Sequence, residues 1–315
     1  MIRITMRNMR EKMKADVIIP VYKPDQRLHA LLERLRKQTV QPGKILLMNT
    51  EERYFDPGIC EGIAGVEVHH VPKAQFDHGG TRHQAVQYSD ADILVFMTQD
   101  AMPKDRHLLE ELIRPLTEGK ASVSYARQLP APDCRELERY TRAFNYPPQS
   151  CIKSAEDLEW LGIKTFFCSN VCAAYLRRDY DAMGGFIRKT IFNEDMIMAG
   201  RMIQSGKRIA YTAQARVVHS HNYTGSMQFH RNFDLAVSQA DHPEIFSGIS
   251  SQKEGIRLVK ETALHFLRTG KPWLIGELII KSGCKFLGYR LGKNYRKLPK
   301  KVIKYCTMNP SYWDF

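Results

Sequence analysis

Three continuous apolar runs constrain this chain most: Asp16–Tyr22 (DVIIPVY), Lys44–Met48 (KILLM) and Ala91–Met97 (ADILVFM). None alternates polar with apolar residues, so a strand made from any of them needs cover on both faces. That is the situation of a parallel strand between helices. The segments between the runs supply the cover. Pro24 and Asp25 open a helix with Leu28, Leu31, Leu32 and Leu35 on one face. Pro42-Gly43 breaks the chain before the second strand, Val66–Val71 is a weaker third strand, and Thr81–Tyr88 reads as a helix. About Arg106–Leu116 is another helix and Ala121–Ala126 another strand. This alternation predicts an α/β domain with a Rossmann-like, mostly parallel central sheet flanked by helices. Such sheets bind ligands just beyond the carboxyl ends of their strands, which is where Asn49–Glu51 and Gln99–Asp100 fall.

Further along, residues 130–165 are richer in proline and charge and read as loops and helix beside a site. Phe166–Asn170 and Val171–Leu176 are strand-like. Asn193–Met196 opens a helix that runs to about Ser205, and Ile209–Thr212 and Ala215–Val218 are two short strands, the second leading into His219-Ser220-His221. From about Ser226 the pattern is helical. The formal charge of +13 is unevenly placed: +4 in the first 14 residues, −1 over 15–252 and +10 over 253–315. A uniform nucleic-acid coat is thereby excluded, and no nucleic-acid module is present. The expected organisation is a basic lead-in (1–14), a catalytic domain (15–225) and a C-terminal helical, basic, membrane-proximal or oligomerisation segment (226–315). Seven cysteines without a CxxC pair, the one CxxxC being Cys168 and Cys172, fit a reduced cytoplasmic compartment. The basic N-terminus has no apolar core of a secretory signal, and no apolar run is long enough to span a bilayer.

Four polar clusters occupy ligand-binding positions, and each has a plainer structural alternative. Asp100 follows a buried strand, where a carboxylate can hold Mg²⁺ or Mn²⁺ on a substrate diphosphate, or simply cap a turn. In Phe76–Arg82 a glycine pair precedes a helix. Its amides and Arg82 suit an anionic group, while a glycine turn needs no ligand. Glu194-Asp195 at a helix start either complements the helix dipole or provides a general base. His219 and His221, alternating on the expected strand, face opposite sides. One of them then reaches a shared metal, although a histidine is more often structural.

In order, VIIPVYKPDQRL, FDHGGTRHQAV, ADILVFMTQDA, FFCSNVCAAYLRRDYDAMGGF, NEDM and VVHSHNYT resemble the motifs of family 2 nucleotide-sugar glycosyltransferases, which have the GT-A fold. The forms FDHGGTR, TQDA and HSHNYT and the tail FLGYRLGKNYRKLP resemble those of bacterial rhamnosyltransferases of surface-polysaccharide assembly. The likeness runs from about Asp16 to the C-terminus. It implies that Pro20, Val21 and Tyr22, with Asn49 and Glu51 at the second strand end, frame the donor's base and ribose. Many relatives carry an aspartate near that second end. Arg82 would touch the diphosphate, with His78, Gly79 and Gly80 beside it. The family's DxD is reduced to Thr98-Gln99-Asp100, leaving Asp100 as the surviving metal ligand, with the first acid lost and Gln99 beside it among the donor-binding residues. Asp195 would be the catalytic base and Glu194 a supporting carboxylate or acceptor contact. One of His219 and His221, with His221 favoured, would complete metal or diphosphate binding.

The implied reaction is an inverting displacement that moves L-rhamnose from dTDP-β-L-rhamnose to a hydroxyl of a lipid-linked or growing glycan. A UDP-hexose donor is the alternative within the family, and a non-catalytic scaffold in a glycan assembly complex the alternative outside it. A nucleotidyltransferase would need a glycine-rich basic loop after the first strand, which PVYKPDQRL lacks. The acceptor implied by the resemblance is a polyprenyl-linked glycan at the inner face of the plasma membrane. The basic tail, with Phe266, Trp273, Phe286 and Leu287 among its lysines, suits a peripheral position on an anionic membrane surface. The same stripe would serve equally to pack on the body or in a homodimer.

Overall fold

A computed structural model describes residues 13–249 and 252–314. The basic lead-in expected at 1–14 lies outside the described residues except for its last two. In chain order the first elements are β1 (Ala15–Tyr22), α1 (Gln26–Arg36), β2 (Ile45–Thr50), β3 (Val66–Val71), α2 (His78–Ala85), β4 (Ile93–Met97) and β5 (Met102–Pro103). Next come α3 (Leu108–Thr117), β6 (Val123–Leu129), α4 (Glu136–Asn145), β7 (Cys151–Lys153), α5 (Leu158–Leu161), β8 (Cys172–Leu176) and α6 (Arg177–Ala182). The chain continues with α7 (Glu194–Gln204), β9 (Ile209–Val218), α8 (Gly225–Asp241), α9 (Pro243–Phe246), α10 (Gln252–Arg268), α11 (Leu274–Lys293) and α12 (Lys300–Cys306). They form two compact units. One comprises the described residues up to Leu129, Tyr146–Lys189 and Glu194–His219; the other comprises Pro130–Asn145, Thr190–Asn193 and the described residues from Ser220 on.

The first unit is built on one sheet of order β3-β2-β1-β4-β8-β6-β9-β5, with β7 also paired to β9. Its β3-β2-β1-β4 portion is parallel throughout, as the unbroken apolar runs require. Beyond β4 the sheet becomes mixed: β8 runs antiparallel to both β4 and β6, while β6 and β9 pair in parallel. The strand β8 enters from a loop and a 3₁₀ turn, not from a helical crossover, so nothing forces it parallel. The α1 leucines 28, 31, 32 and 35 are fully buried against the sheet, each contributing about 1.5–3 kcal/mol of apolar burial. Asp25 caps that helix, accepting from the Arg27 amide at 2.9 Å.

Several local expectations change. The two short strands expected at 209–218 are a single strand, β9. Its pairing with β6 slips between Ala126 and Arg127, and that irregularity divides the two apolar segments. The strand ends at Val218, so His219 and His221 lie beyond it and the two-face alternation does not apply to them. Phe166–Asn170 is not a strand: a 3₁₀ turn covers Gly162–Phe166 and the chain then runs irregularly to β8. One of its carbonyls, that of Phe167, and one from the 3₁₀ turn before it are satisfied by a buried cation. The Lys153 ammonium donates to Lys164 O at 2.9 Å and Phe167 O at 2.5 Å. The glycine pair lies inside the first turn of α2, whose cap is Asp77 accepting from the Gly80 amide.

In the second unit α8 packs on α11 with the backbones nearly touching. A Cβ at Gly288 would fall 2.2 Å from Phe229 O, and one at Gly292 2.3 Å from Phe233 O, so only glycine fits there. Phe233, Val237, Ile303 and Cys306 form one buried cluster, and Leu137, Phe266 and Leu278 another. Trp273, Ile279, Ile280, Phe286 and Leu287 of the α11 region are exposed.

Candidate active site

The helix α7 opens with both candidate carboxylates, and the first unit treats them differently. Asn193, at φ +65°, turns the chain immediately before it; asparagine tolerates that left-handed conformation better than most residues. Glu194 is buried and ion-paired to Arg82 of α2, Nη1 to Oε1 at 3.2 Å. Arg82 also donates to His78 O at 2.9 Å. Asp195 keeps part of its surface in solvent and has no cation this close among the described ion pairs. Its Oδ2 accepts from the Asn170 amide at 3.0 Å and its Oδ1 from the Met196 amide at 2.8 Å. The consequences for protonation are opposite. At Glu194 burial pushes upward, but the Arg82 charge together with His78 and the Asn170 hydrogen bond outweighs it and holds the carboxyl below the usual range. Burial, followed by the charge of Glu194, pushes Asp195 up to about 7. A fixed anion beside a carboxylate that exchanges its proton near neutrality is the arrangement of a general base with a supporting charge.

Asn170 holds the pair from the opposite side. Besides its amide on Asp195, its side chain donates to Glu194 Oε1 at 3.3 Å and accepts at Oδ1 from the Tyr175 hydroxyl at 2.9 Å. The tight fit of α2 against the loop before α7 and the first residue of α7 explains one glycine: a Cβ at Gly79 would lie 2.1 Å from Ile187 O and 3.3 Å from Glu194 Cβ. Gly80 faces the Asp77 cap more loosely, at 3.0 Å, and His78 is exposed at the head of the helix.

A second constellation joins Asp100 to His219, whose Nε2 lies 3.4 Å from Asp100 Oδ2. His219 is buried while Asp100 is exposed. Gln128 orients the ring: its Nε2 donates to Ser169 Oγ at 3.0 Å, leaving its Oε1 to receive His219 Nδ1 at 3.0 Å. That fixes the proton on Nδ1 and turns the Nε2 lone pair toward the carboxylate. One carboxylate oxygen and one neutral imidazole nitrogen are a donor set suited to Mn²⁺ or Mg²⁺. His221 belongs to the second unit, half-buried with its ring stacked on Tyr223 at 5.1 Å.

At the end of β1, Gln99 takes both backbone groups of Tyr22: Oε1 accepts from Tyr22 N at 2.8 Å and Nε2 donates to Tyr22 O at 3.1 Å. Gln99, the middle residue of the reduced DxD, is thus a backbone clamp. Tyr22 is exposed, Pro20 half-buried and Val21 buried. The Tyr22 ring meets Tyr54 edge-on at 5.8 Å, and the Lys23 ammonium lies 4.7 Å from the Tyr54 ring centre. Asn49 is fully buried, donating to Glu51 O at 3.1 Å and lying 3.0 Å from His70 Nδ1. Glu51, at φ +67°, accepts from the Lys73 amide at 2.7 Å and pairs with Arg53 at 3.1 Å. These two side chains therefore shape the strand end from within.

The ordered strand ends fall within the stretch matched by a known family: the glycosyl transferase family 2 model matches residues 16–184. The chain belongs to glycosyl transferase family 2. It is 37% identical over 306 residues to the O-antigen chain rhamnosyltransferase RfbN of Salmonella typhimurium, covering 96% of each chain. With the O-antigen chain rhamnosyltransferase WbaN of Salmonella anatum it shares 38% over 303 residues, 95% of each. Among solved structures it resembles the mannosyltransferase PcManGT of Pyrobaculum calidifontis in complex with GDP-Man and Mn²⁺. That match has a TM-score of 0.55 and 13% identity, covering 99% of this chain and 91% of the other. S. aureus TarS 1-349, in complex with UDP-GlcNAc, matches with a TM-score of 0.50 and 12% identity over 90% and 92%. These likenesses establish the GT-A fold, and the family establishes a glycosyltransferase.

Sequence reasoning about this glycosyltransferase missed Asn170, Tyr175 and Gln128. Asn170 follows Ser169 just before the apolar β8, and Gln128 follows Arg127 at the polar end of β6. Both are buried polar side chains beside partly exposed neighbours, so the local pattern carried no signal for them.

Proposed function

We propose that this enzyme transfers L-rhamnose from dTDP-β-L-rhamnose to a hydroxyl of a lipid-linked or growing surface glycan, with inversion. The sugar rests on the two Salmonella relatives, each named as an O-antigen chain rhamnosyltransferase. What supports the chemistry most directly is the asymmetry of the carboxylate pair, Glu194 anchored to Arg82 and Asp195 raised toward neutrality. Asp195 removes the acceptor hydroxyl's proton as that oxygen forms a bond to the anomeric carbon. The anomeric carbon–phosphate oxygen bond breaks on the opposite face, and the electron pair leaves with dTDP. Single displacement from a β-L-linked donor gives an α-L-rhamnoside. Asp100 and His219 would hold a divalent cation. When bound, that cation neutralises charge on the departing diphosphate. Tyr22 and its Gln99 clamp, with Glu51 and Asn49 shaping the neighbouring strand end, form the nucleoside side of the site.

The acceptor side is read as a membrane surface. No helix among the described residues is long and apolar enough to cross a bilayer. The helices α10 and α11 expose Leu264, Leu267, Ile279, Ile280, Phe286 and Leu287, with Lys260, Arg268, Arg290 and Lys293 exposed on the same helices. Apolar side chains interleaved with basic ones suit an anionic headgroup layer. Selective sedimentation with anionic vesicles supports this reading; a salt-resistant dimer that ignores vesicles replaces it.

A screen of nucleotide sugars for thermal stabilisation, with and without Mn²⁺, tests the donor. Metal-dependent stabilisation by dTDP-rhamnose is expected. Preference for a UDP-hexose overturns the sugar, and stabilisation by no nucleotide sugar favours the scaffold alternative.

A further inference from the structure

The loop before β8 lies against both carboxylates through one residue. Asn170 is 2% exposed, with its backbone amide on Asp195, its Nδ2 on Glu194 and its Oδ1 on the Tyr175 hydroxyl. The last bond decides the second. An asparagine amide can flip, and only with its oxygen on a hydroxyl donor does its nitrogen face Glu194. Tyr175 has no freedom to move: it is fully buried on β8 and packed edge-on to Phe96 and Phe186 at 5.6 and 5.4 Å. Lys153 fixes the same loop upstream through the carbonyls of Lys164 and Phe167.

We infer that Asn170, oriented by Tyr175, is a positioning residue that holds Glu194 and Asp195 as a two-carboxylate unit, one kept anionic and the other aimed at the acceptor. The inference rests on the reading of Asp195 as base and adds to it the residues that make one of two adjacent acids the base. Asn170 itself touches no reacting atom. By donating to Glu194 it favours that anion, and through its amide it fixes one Asp195 oxygen and so the direction of the carboxylate. Other charged or titratable groups facing the pair are Arg82, His78 and Asp77 from α2 and its cap, Cys168 from the loop and Tyr175 from β8. All are unchanged in an Asn170→Ser variant, which retains the backbone amide and loses both side-chain bonds. Tyr175→Phe keeps the ring and loses only the orienting hydroxyl.

Both variants are expected to lower kcat roughly 10- to 100-fold, with dTDP-rhamnose affinity within about twofold of the parent, since lost orientation acts on the transition state. The acid limb of the kcat–pH profile is expected to move to lower pH, because Glu194 becomes a poorer anion and its charge, one of the two causes raising Asp195, is reduced. A uniform fall in kcat with an unmoved limb overturns the inference, as does unchanged kcat in either variant. Infrared titration of the carboxylates, assigned by subtracting Asp195→Asn, reads the same pair without turnover. A shifted titration in Asn170→Ser together with active Asp195→Asn leaves the positioning intact and removes Asp195 as base. An unshifted titration removes the positioning, whatever Asp195 does.

Discussion

Arg82 and Glu194 form a buried ion pair at 3.2 Å, with about a tenth or less of either side chain exposed. The family resemblance gives Arg82 to the donor diphosphate, and the structure gives it a second obligation that the sequence did not announce. Its guanidinium holds down the charge of Glu194, and that charge is one of the two causes raising Asp195. Removing a partner from a buried pair strands the other charge. Arg82→Met is expected to destabilise the first unit by about 3 kcal/mol, read by urea unfolding. Adding Glu194→Gln to it should recover part of that loss, because no charge is then left unpaired. If the double variant is as unstable as the sum of the singles, the pair is not coupled as described.

The elevated Asp195 sets a pH dependence with a definite sign. A base must be deprotonated, so kcat is expected to fall as pH drops through about 7. Stability runs the other way. The folded carboxyl binds its proton more tightly than the unfolded one, so between the ordinary aspartate range and about 7 the folded state carries the extra proton. Stability from this group is therefore present at low pH and is lost as pH rises through that window. Asp195→Asn should abolish transfer, preserve nucleotide-sugar binding, and stabilise the protein at pH 8 more than at pH 4. Equal stabilisation at both pH values would remove the strain assigned to the native carboxylate.

What could be read from sequence divides along a physical line. The strands β1, β2 and β4 were legible because a fully buried strand must be written in apolar residues, and the ends of those strands located Tyr22, Gln99 and Asp100. Glu194 and Asp195 were legible as acids at a helix start. Hydrogen-bond partners were not legible, since nothing local in Asn170 says that its amide faces α7, nor in Gln128 that it orients His219. The expected strand at Phe166–Asn170 shows the same limit: its Phe167 carbonyl is held by Lys153 from another segment, a partner that no local pattern announces. Asn49 looked available at a strand end, yet tertiary packing buries it completely.

Two helical glycines should respond oppositely to alanine. At Gly79 a Cβ meets the Ile187 carbonyl at 2.1 Å and Glu194 Cβ at 3.3 Å, and backbone cannot yield as a side chain can. Gly79→Ala is expected to cost about 1–3 kcal/mol and to reduce transfer by displacing α2, and Arg82 with it, from α7. Around Gly276 of α11 there is nothing within 4 Å. There alanine gains helix propensity, and Gly276→Ala should stabilise the second unit by about 0.5–1 kcal/mol. Thermal denaturation compares the two directly. A neutral Gly79→Ala would mean that α2 and α7 are not in the contact described.

The Asp100–His219 pair predicts a metal requirement tuned by a residue that would not touch the metal. Gln128 holds the proton on His219 Nδ1, so that Nε2 presents a lone pair toward Asp100. Replacing Gln128 with leucine removes that acceptor while keeping similar bulk, and the ring is then free to adopt the other tautomer or to rotate. Losing such a support typically weakens metal affinity about 10- to 100-fold. Gln128→Leu should therefore raise the Mn²⁺ concentration needed for half-maximal donor binding by that factor and regain near-parental binding at saturating Mn²⁺. Asp100→Ala, which removes a ligand, should not be rescued at any accessible concentration. Isothermal titration of dTDP-rhamnose across a Mn²⁺ series separates the two responses. If Gln128→Leu loses donor binding that no Mn²⁺ concentration restores, Gln128 acts on the fold of β6 and not through the histidine.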